Sequence, residues 1–462
     1  MSSEVSAARF VELMIRSGLV SAERLSMILT ELGYETSSSS ARALADRLIE
    51  RGILTHFQAA KLLRGRWFGL VVGSYRVLAP LGRGGMGMVF LAQDQRGVSP
   101  ALPPEAAGVV QPAWEGLVAL KVLPPRLARQ EPRMQERFER EQRYYQRVRH
   151  PRVVRMLEAG EWQGIRYIAL DFVPGRSLQE LVSRWGRLTP ERAIPLFAEV
   201  AEGLQHLHEQ NLIHRDVKPA NIMVTPQGTA KLLDLGLALA TDDPLPQDIR
   251  IAGGKGYIVG TMDYIAPEQV RHATAIDHRA DLYALGCTLY FAMTGTPPFP
   301  GGSKRDKIRW QRRAEPIFIR DLNPAVPPAL AELVHRLLAK NPSQRPDSAW
   351  QVREELLAMR QNVPSAMVLP SWSAQETVEL LDTDTAGTDW WEDTSEPAAL
   401  SHSVSSPVAI ERNDLPAIQP PPLPSYARQP SITQSQVPFA WILLVSLGLL
   451  LLSVLLILLR HL

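Results

Sequence analysis

A single cysteine in 462 residues, Cys287, excludes an internal disulfide and leaves no thiolate set for a cysteine-rich zinc site. Such a chain suits a reducing compartment. Charge of one sign is also missing. The 50 lysines and arginines stand against 48 acids, a net +2, so no global basic field points to a nucleic-acid partner. The N-terminus, Met1 to Phe10, has no basic stretch followed by an apolar run and does not read as a signal peptide. Hydrophobic residues make up 45% and charged residues 21%, ordinary globular composition that excludes a wholly disordered or many-pass membrane chain. Proline alone is in excess, with 37 residues, and marks linkers and loops.

One long apolar run is present. From Phe439 to Leu459 no residue is charged and most are Leu, Ile or Val. About 21 residues rising roughly 1.5 Å each cover about one hydrocarbon thickness, so 438–460 reads as a transmembrane helix. Pro438 and Trp441 mark one interface and Arg460 and His461 the other. Before it, 360–437 is rich in Pro, Ser and Thr without a sustained apolar period, and reads as a disordered linker. Between Gln361 and Ile410 it has no Lys or Arg, while Glu376, Glu379, Asp382, Asp384, Asp389, Glu392, Asp393 and Glu396 gather around Trp390 and Trp391. Two readings stand: a self-repelling solvated tether, or an acidic, aromatic docking motif with Thr383, Thr385, Thr388 and Thr394 as phosphoacceptors.

Residues 1–70 carry a helical pattern that occurs twice. Gly18-Leu19-Val20-Ser21, followed by Leu25, Ile28 and Leu29, returns as Gly52-Ile53-Leu54-Thr55, followed by Ala59, Leu62 and Leu63. Each copy predicts a helix stopped by Gly, a short connection, a Ser or Thr N-cap and a second helix. Two copies are too few for a solenoid, so an all-α module for dimerisation or a partner protein is expected.

The chemistry lies in 75–359. Leu81-Gly82-Arg83-Gly84-Gly85-Met86-Gly87-Met88-Val89 forms a glycine-rich turn between two strand-like runs, where backbone N–H groups can approach phosphate oxygens unobstructed by Cβ atoms. Val118-Ala119-Leu120-Lys121 places a lysine after three apolar residues. His214-Arg215-Asp216-Val217-Lys218-Pro219-Ala220-Asn221, Asp234-Leu235-Gly236 and Ala266-Pro267-Glu268 follow in that order. Five motifs in sequence are far more specific than any one of them, and with them the chain resembles the bacterial eukaryotic-like Ser/Thr protein kinases. The resemblance implies a bilobal α+β kinase fold over 75–359, between the N-terminal all-α module and the C-terminal transmembrane helix.

It also implies roles. ATP and Mg²⁺ are the expected cofactors, and Ser/Thr hydroxyls of proteins the acceptors, this chain's own included. Backbone amides of the turn cover the phosphates, and Lys121 pairs with them. Glu141 matches the helix glutamate that holds this lysine, with Glu139 its nearest rival. Asp216 accepts or orients the hydroxyl proton beside Lys218, while Asn221 and Asp234 hold magnesium. Adenine is expected between Val89, Ala119 and Met223, with hinge backbone at Asp171 to Val173 and Leu170 as gatekeeper; the apolar members of this set read equally as plain core. Lys218 and Thr261 match the Ser/Thr pattern rather than the tyrosine one. Asp281 resembles an aspartate that braces the catalytic loop, and Glu268 is expected to pair with Arg345. Cys287 reads as a core residue, and His206 and His208, two apart on a helix, face different sides and make no metal site. Arginines between Arg126 and Arg155 alternate with acids, as on a solvated face.

Three features depart from the pattern. A Pro/Gly-rich insertion lies between Asp94 and Gly116, where a tight hairpin is usual. Leu235 replaces the usual Phe. No Ser or Thr stands just upstream of Gly260, so activity is expected to depend little on loop phosphorylation, with Thr241, Asp242 and Asp243 as substitutes near Arg215. Because ATP chemistry is cytoplasmic, the expected topology is a single-pass, tail-anchored protein of the cell membrane with a cytoplasmic kinase domain. The N-terminal arrangement is similar to one in planctomycete-type kinases.

Overall fold

In the computed structural model of the chain, four short helices come first: α1 Ala7–Arg16, α2 Ala22–Glu31, α3 Ala41–Glu50 and α4 His56–Leu63. Each starts from a hydroxyl N-cap. Ser6, Ser21, Ser40 and Thr55 accept from the third backbone N–H of their helices at 3.1 to 3.3 Å, filling one of the donors a helix start leaves free. Gly18 and Gly52 end the first helix of each pair at φ +75° and +65°, a left-handed turn most side chains resist. The structure describes residues 5–34, 40–84, 87–97, 116–241, 262–271 and 276–360. Positions 98–115 of the insertion, 242–261, the linker and the apolar run at 438–460 lie outside the described residues. Among the described residues no helix is long and apolar enough to cross a membrane.

A six-stranded antiparallel sheet follows, built from β1 Val71–Val72, β2 Tyr75–Gly84, β3 Gly87–Asp94, β4 Leu117–Leu123, β5 Met156–Trp162 and β6 Ile165–Asp171, in the order β1-β2-β3-β4-β6-β5. Between β4 and β5 run α5 Pro125–Gln130 and α6 Pro132–Arg147. The inserted stretch leaves and rejoins one hairpin, since the Asp94 N–H donates to Gly116 O at 2.8 Å. Strand side chains alternate between faces. Val118, Leu120 and Val122 of β4 and Ile165, Tyr167 and Ala169 of β6 join one core with Phe10, Leu13, Leu44, Leu48, Phe57 and Leu62 of the four helices. Leu123, Ile168 and Leu170 turn the other way, into the core of the larger lobe. The helices thus cover one whole face of the sheet, an arrangement the helix repeat does not reveal.

The larger lobe is helical, with small ribbons at its upper edge: β7 Arg176–Ser177, α7 Leu178–Trp185, α8 Pro190–Glu209, β8 Leu212–Ile213, β9 Ile222–Val224, β10 Ala230–Leu232 and β11 Leu239–Ala240. Then come α9 Pro267–Arg271, α10 Arg279–Thr294, α11 Lys304–Arg313, α12 Ile319–Leu322, α13 Pro328–Leu337 and α14 Ala349–Arg360. Every residue of α10 from Ala280 to Met293 is buried, so this helix is apolar all round because it is the axis of the lobe. Cys287 lies within it, fully buried, and burial pushes its thiol up to about 12.

Phe57 of α4 meets Phe90 of β3 with ring centroids 5.9 Å apart. Truncating Phe57 to Ala is expected to cost about 3–5 kcal/mol. A Phe57→Ala/Phe90→Ala double-mutant cycle in urea should return a coupling above about 0.5 kcal/mol. Strict additivity would mean that helices and sheet do not share a core.

Candidate active site

β2 and β3 bring the glycine-rich turn to the edge of the sheet above the large lobe, with Gly84 paired to Gly87. Gly85 and Met86, at the tip, lie outside the described residues. Gly87 has a packing reason of its own. A Cβ there would sit 2.1 Å from Val122 O on the neighbouring strand, and its φ of +156° also favours glycine.

Lys121 lies two strands in, paired across β3 with Val89 and across β6 with Ile168. Its Nζ donates to Glu141 Oε1 and Oε2, each at 2.7 Å, and to Asp234 Oδ1 at 2.9 Å. Glu141 and not Glu139 makes this contact; Glu139 turns outward to Gln135 and Arg166. Helical spacing explains the split, since residues two apart on α6 face different sides. Burial works against the lysine's charge, but Asp234 and Glu141 outweigh it and raise its pKa. Burial likewise pushes the Glu141 carboxyl up to about 7 against the pull of Lys121. For Asp234 burial also favours the neutral acid, yet Lys121 and the Gly236 N–H overcome it and hold the carboxyl down at about 2.

Across the cleft, Asp216, Lys218 and Asn221 form a second group. Lys218 Nζ lies 2.6 Å from Asp216 Oδ2, and Asn221 Nδ2 donates to Asp216 O and Oδ2 at 2.9 and 3.0 Å. Burial raises the Asp216 carboxyl pKa, with Lys218 opposing it. His214 fixes the loop from behind. Its Nε2 meets Leu233 O at 3.0 Å, which leaves Nδ1 to accept from the Asp216 N–H at 3.3 Å. Asp281, fully buried on α10, accepts from the backbone N–H groups of His214 and Arg215 at 2.8 and 2.7 Å and from His208 Nε2 at 2.9 Å. Arg215 and Asp234 both adopt left-handed backbone, φ +63° and +61°, which non-glycine residues rarely hold unless surrounded by such bonds.

The other expected residues are placed as follows. Leu81 and Gly82 lie on β2, with Gly82 opposite Val89, and Met88 pairs with Val122. Ala119 stands opposite Leu170, and with Met223 it packs against the large core. Asp171 is held at the end of β6 by Arg155, with both hydrogen bonds at 3.1 Å, and Val173 is buried just beyond. Glu268 grips Arg345 in two parallel bonds of 2.6 and 2.9 Å. His206 stacks on His150 at 4.8 Å between ring centroids, away from His208. Thr261 lies outside the described residues.

Sequence reasoning passed over Tyr144 and Tyr145, and weighed His208 only as a metal ligand, not as a partner of Asp281. The Tyr145 hydroxyl accepts from Leu235 N–H at 3.3 Å and Tyr144 from Ala240 N–H at 3.2 Å, so α6 holds the segment that follows Asp234 at both of its ends. The signal was there in helical spacing: Tyr145 stands four residues after Glu141, on the same face.

The residues fit a magnesium-bound phosphate. Asn221 has committed its amide nitrogen to Asp216, which leaves its oxygen free to serve as a donor atom to a cation. Magnesium takes one or two carboxylates and completes its shell with phosphate oxygens and water, so a sparse oxygen set suits it. Among the described residues no cluster of three His, Cys, Asp or Glu side chains offers an all-protein cage.

A model described as the protein kinase domain matches residues 106–357, more than half of the chain, starting after the glycine-rich turn. The serine/threonine-protein kinase PknB of Mycobacterium tuberculosis is 34% identical over 288 residues, 62% of this chain and 42% of that protein. PknB of Mycolicibacterium smegmatis is 35% identical over 285 residues, 61% of this chain and 42% of the relative. The kinase pkn2 of Myxococcus xanthus is 35% identical over 291 residues, 62% and 32%. The matched stretch therefore spans less than half the length of these curated relatives.

Asp281→Ala removes three buried donors' acceptor at once and is expected to cost about 3–5 kcal/mol in urea unfolding. Despite burial, His208 and the loop amides hold the Asp281 carboxyl below its ordinary value. Its contribution is thus present above the unfolded carboxyl pKa and lost as pH falls through the folded one. The stability gap between wild type and variant should narrow on acidification; a gap independent of pH would contradict the assignment.

Proposed function

The chain belongs to the protein kinase family, and on that premise we propose that it is a non-specific serine/threonine protein kinase of the bacterial eukaryotic-like type, transferring the ATP γ-phosphoryl group to Ser/Thr hydroxyls of proteins, itself included. One observation carries the reading: Lys121 Nζ is held at once by Glu141 from α6 and by Asp234 from the large lobe, 113 residues away in sequence. That contact aligns the two halves of a phosphoryl-transfer site, where positioning and charge do most of the work. Lys121, protonated, neutralises phosphate oxygens. Asp216, buried and raised in pKa, orients the acceptor hydroxyl and takes its proton, with Lys218 at 2.6 Å to steady the charge that develops. Asn221 and Asp234 supply oxygens to magnesium, which when bound draws charge from the phosphates.

The uncharged run at 439–459 supports a membrane-spanning anchor, and the need for ATP supports a cytoplasmic kinase domain. The duplicated helix pair supports the planctomycete-type reading. Ile15 and Met27, 41% and 64% exposed on that module, favour contact with a second copy or a partner protein.

Incubation with radiolabelled ATP and magnesium tests the activity. Phosphate on Ser or Thr is expected for wild type, and a loss of at least about 10²-fold for Asp216→Ala and for Asp234→Asn. Equal incorporation by wild type and both variants would defeat the assignment. On membrane fractionation the full chain should sediment with the bilayer and a chain ending at position 437 should stay in the supernatant; co-sedimentation of both would reject the anchor.

A further inference from the structure

β2 is not a regular strand. Its pairing with β3 slips between Val77 and Ala79 and again between Pro80 and Gly82, which leaves Leu78 and Leu81 without partners opposite. A bulge bends its strand and takes a backbone group out of the ladder, so the freed carbonyl needs another donor. At the first slip the donors come from the N-terminal helices. Thr55 Oγ1 donates to Leu78 O at 2.7 Å, and Gln58 Nε2 donates to Val77 O at 2.6 Å. The same two residues form the capping box of α4, with Gln58 N donating to Thr55 Oγ1 at 3.2 Å and Thr55 N to Gln58 Oε1 at 3.0 Å. Arg76 of β2 closes the set by donating to Ile53 O and, at 3.3 Å, to Gln58 Oε1. Gln58 is wholly buried and Arg76 nearly so.

We propose that the α4 capping box is a positioning device for the nucleotide turn: Thr55 and Gln58 hold the bulge at Leu78 and so set the course of Leu81 to Gly84. The apolar contact between helices and sheet is non-directional and does not by itself fix where β2 turns. Hydrogen bonds to two consecutive carbonyls do fix it, three residues before the glycine-rich turn begins. ATP affinity then depends on the helical module, and by linkage ATP tightens the module's grip by the same factor. This inference rests on the kinase reading. Neither residue touches substrate; both act through β2.

The test uses the full chain and three readouts: the Kd of a fluorescent, non-hydrolysable ATP analogue with magnesium, the KM and kcat of phosphate incorporation, and the thermal midpoint. Gln58→Ala and Thr55→Val should raise Kd and KM for nucleotide roughly fivefold, the scale of one lost buried hydrogen bond, with kcat at saturation within about twofold. Thr55→Ser should restore both. Ser21→Ala is the control, because Ser21 likewise accepts from the third N–H of its helix and, among the described residues, its hydroxyl makes no hydrogen bond to a strand; it should lower the midpoint without moving Kd. Variants that lose midpoint but keep the wild-type Kd would overturn the proposal and leave only a helix cap. If Gln58→Ala fails to fold, Thr55→Val beside Thr55→Ser decides the matter alone. A wild type that binds no nucleotide would overturn the kinase reading too, whereas tight wild-type binding with unmoved variants rejects the positioning role alone.

Discussion

A protonated lysine sealed between two carboxylates, Lys121 with Glu141 and Asp234, is the constraint around which the described residues are arranged. Removing an ammonium group from water costs several kcal/mol, and only close, well-directed partners repay it. One partner comes from a helix beside the sheet and the other from the loop after β10, so the lysine can be satisfied only when three distant stretches of chain meet. Tyr144 and Tyr145, on the helix that carries Glu141, then hold the backbone that follows Asp234, at Ala240 and at Leu235. The packing that surrounds the charge and the placement of the candidate site are therefore one arrangement.

The catalytic loop hangs from a different fixed point. Asp281 sits in the most buried helix among the described residues and accepts from two consecutive loop amides, which lets Arg215 keep a backbone conformation it would otherwise leave. The Glu268 and Arg345 pair is tied to the start of the same helix, through the Arg279 carbonyl two residues before Asp281. Rigid supports of this kind are what a transfer reaction needs from its protein, because small displacements of reacting groups are costly in rate.

On the other side of the sheet, alternation along β4 and β6 gives the four helices a full apolar face to cover, and a buried polar set at Thr55, Gln58 and Arg76 gives that docking a register. The glycine-rich turn grows out of the most irregular strand of this sheet.

Short-range rules sufficed for much of this. Glycine stops at Gly18 and Gly52 and hydroxyl caps at Ser21 and Thr55 marked the two helix pairs, because capping is decided within one turn of chain. Five motifs in order marked the chemical residues, because phosphoryl transfer tolerates few side chains at those positions. Glu141 against Glu139 was left open by spacing, since the chain between strand and helix is elastic; only folding showed which of the two faces Lys121. The support of Asp281 by His208, the tyrosines of α6 and the grip of α4 on β2 join residues far apart in sequence, and no local pattern encodes such a meeting. The sequence by itself determined which residues are the candidates for the chemistry and that the N-terminal region is helical, as these follow from side-chain type and local backbone preference. Which carboxylate holds the lysine, and that the first four helices share a core with the sheet, only the tertiary structure decided, because burial and partner choice are set by packing between distant segments.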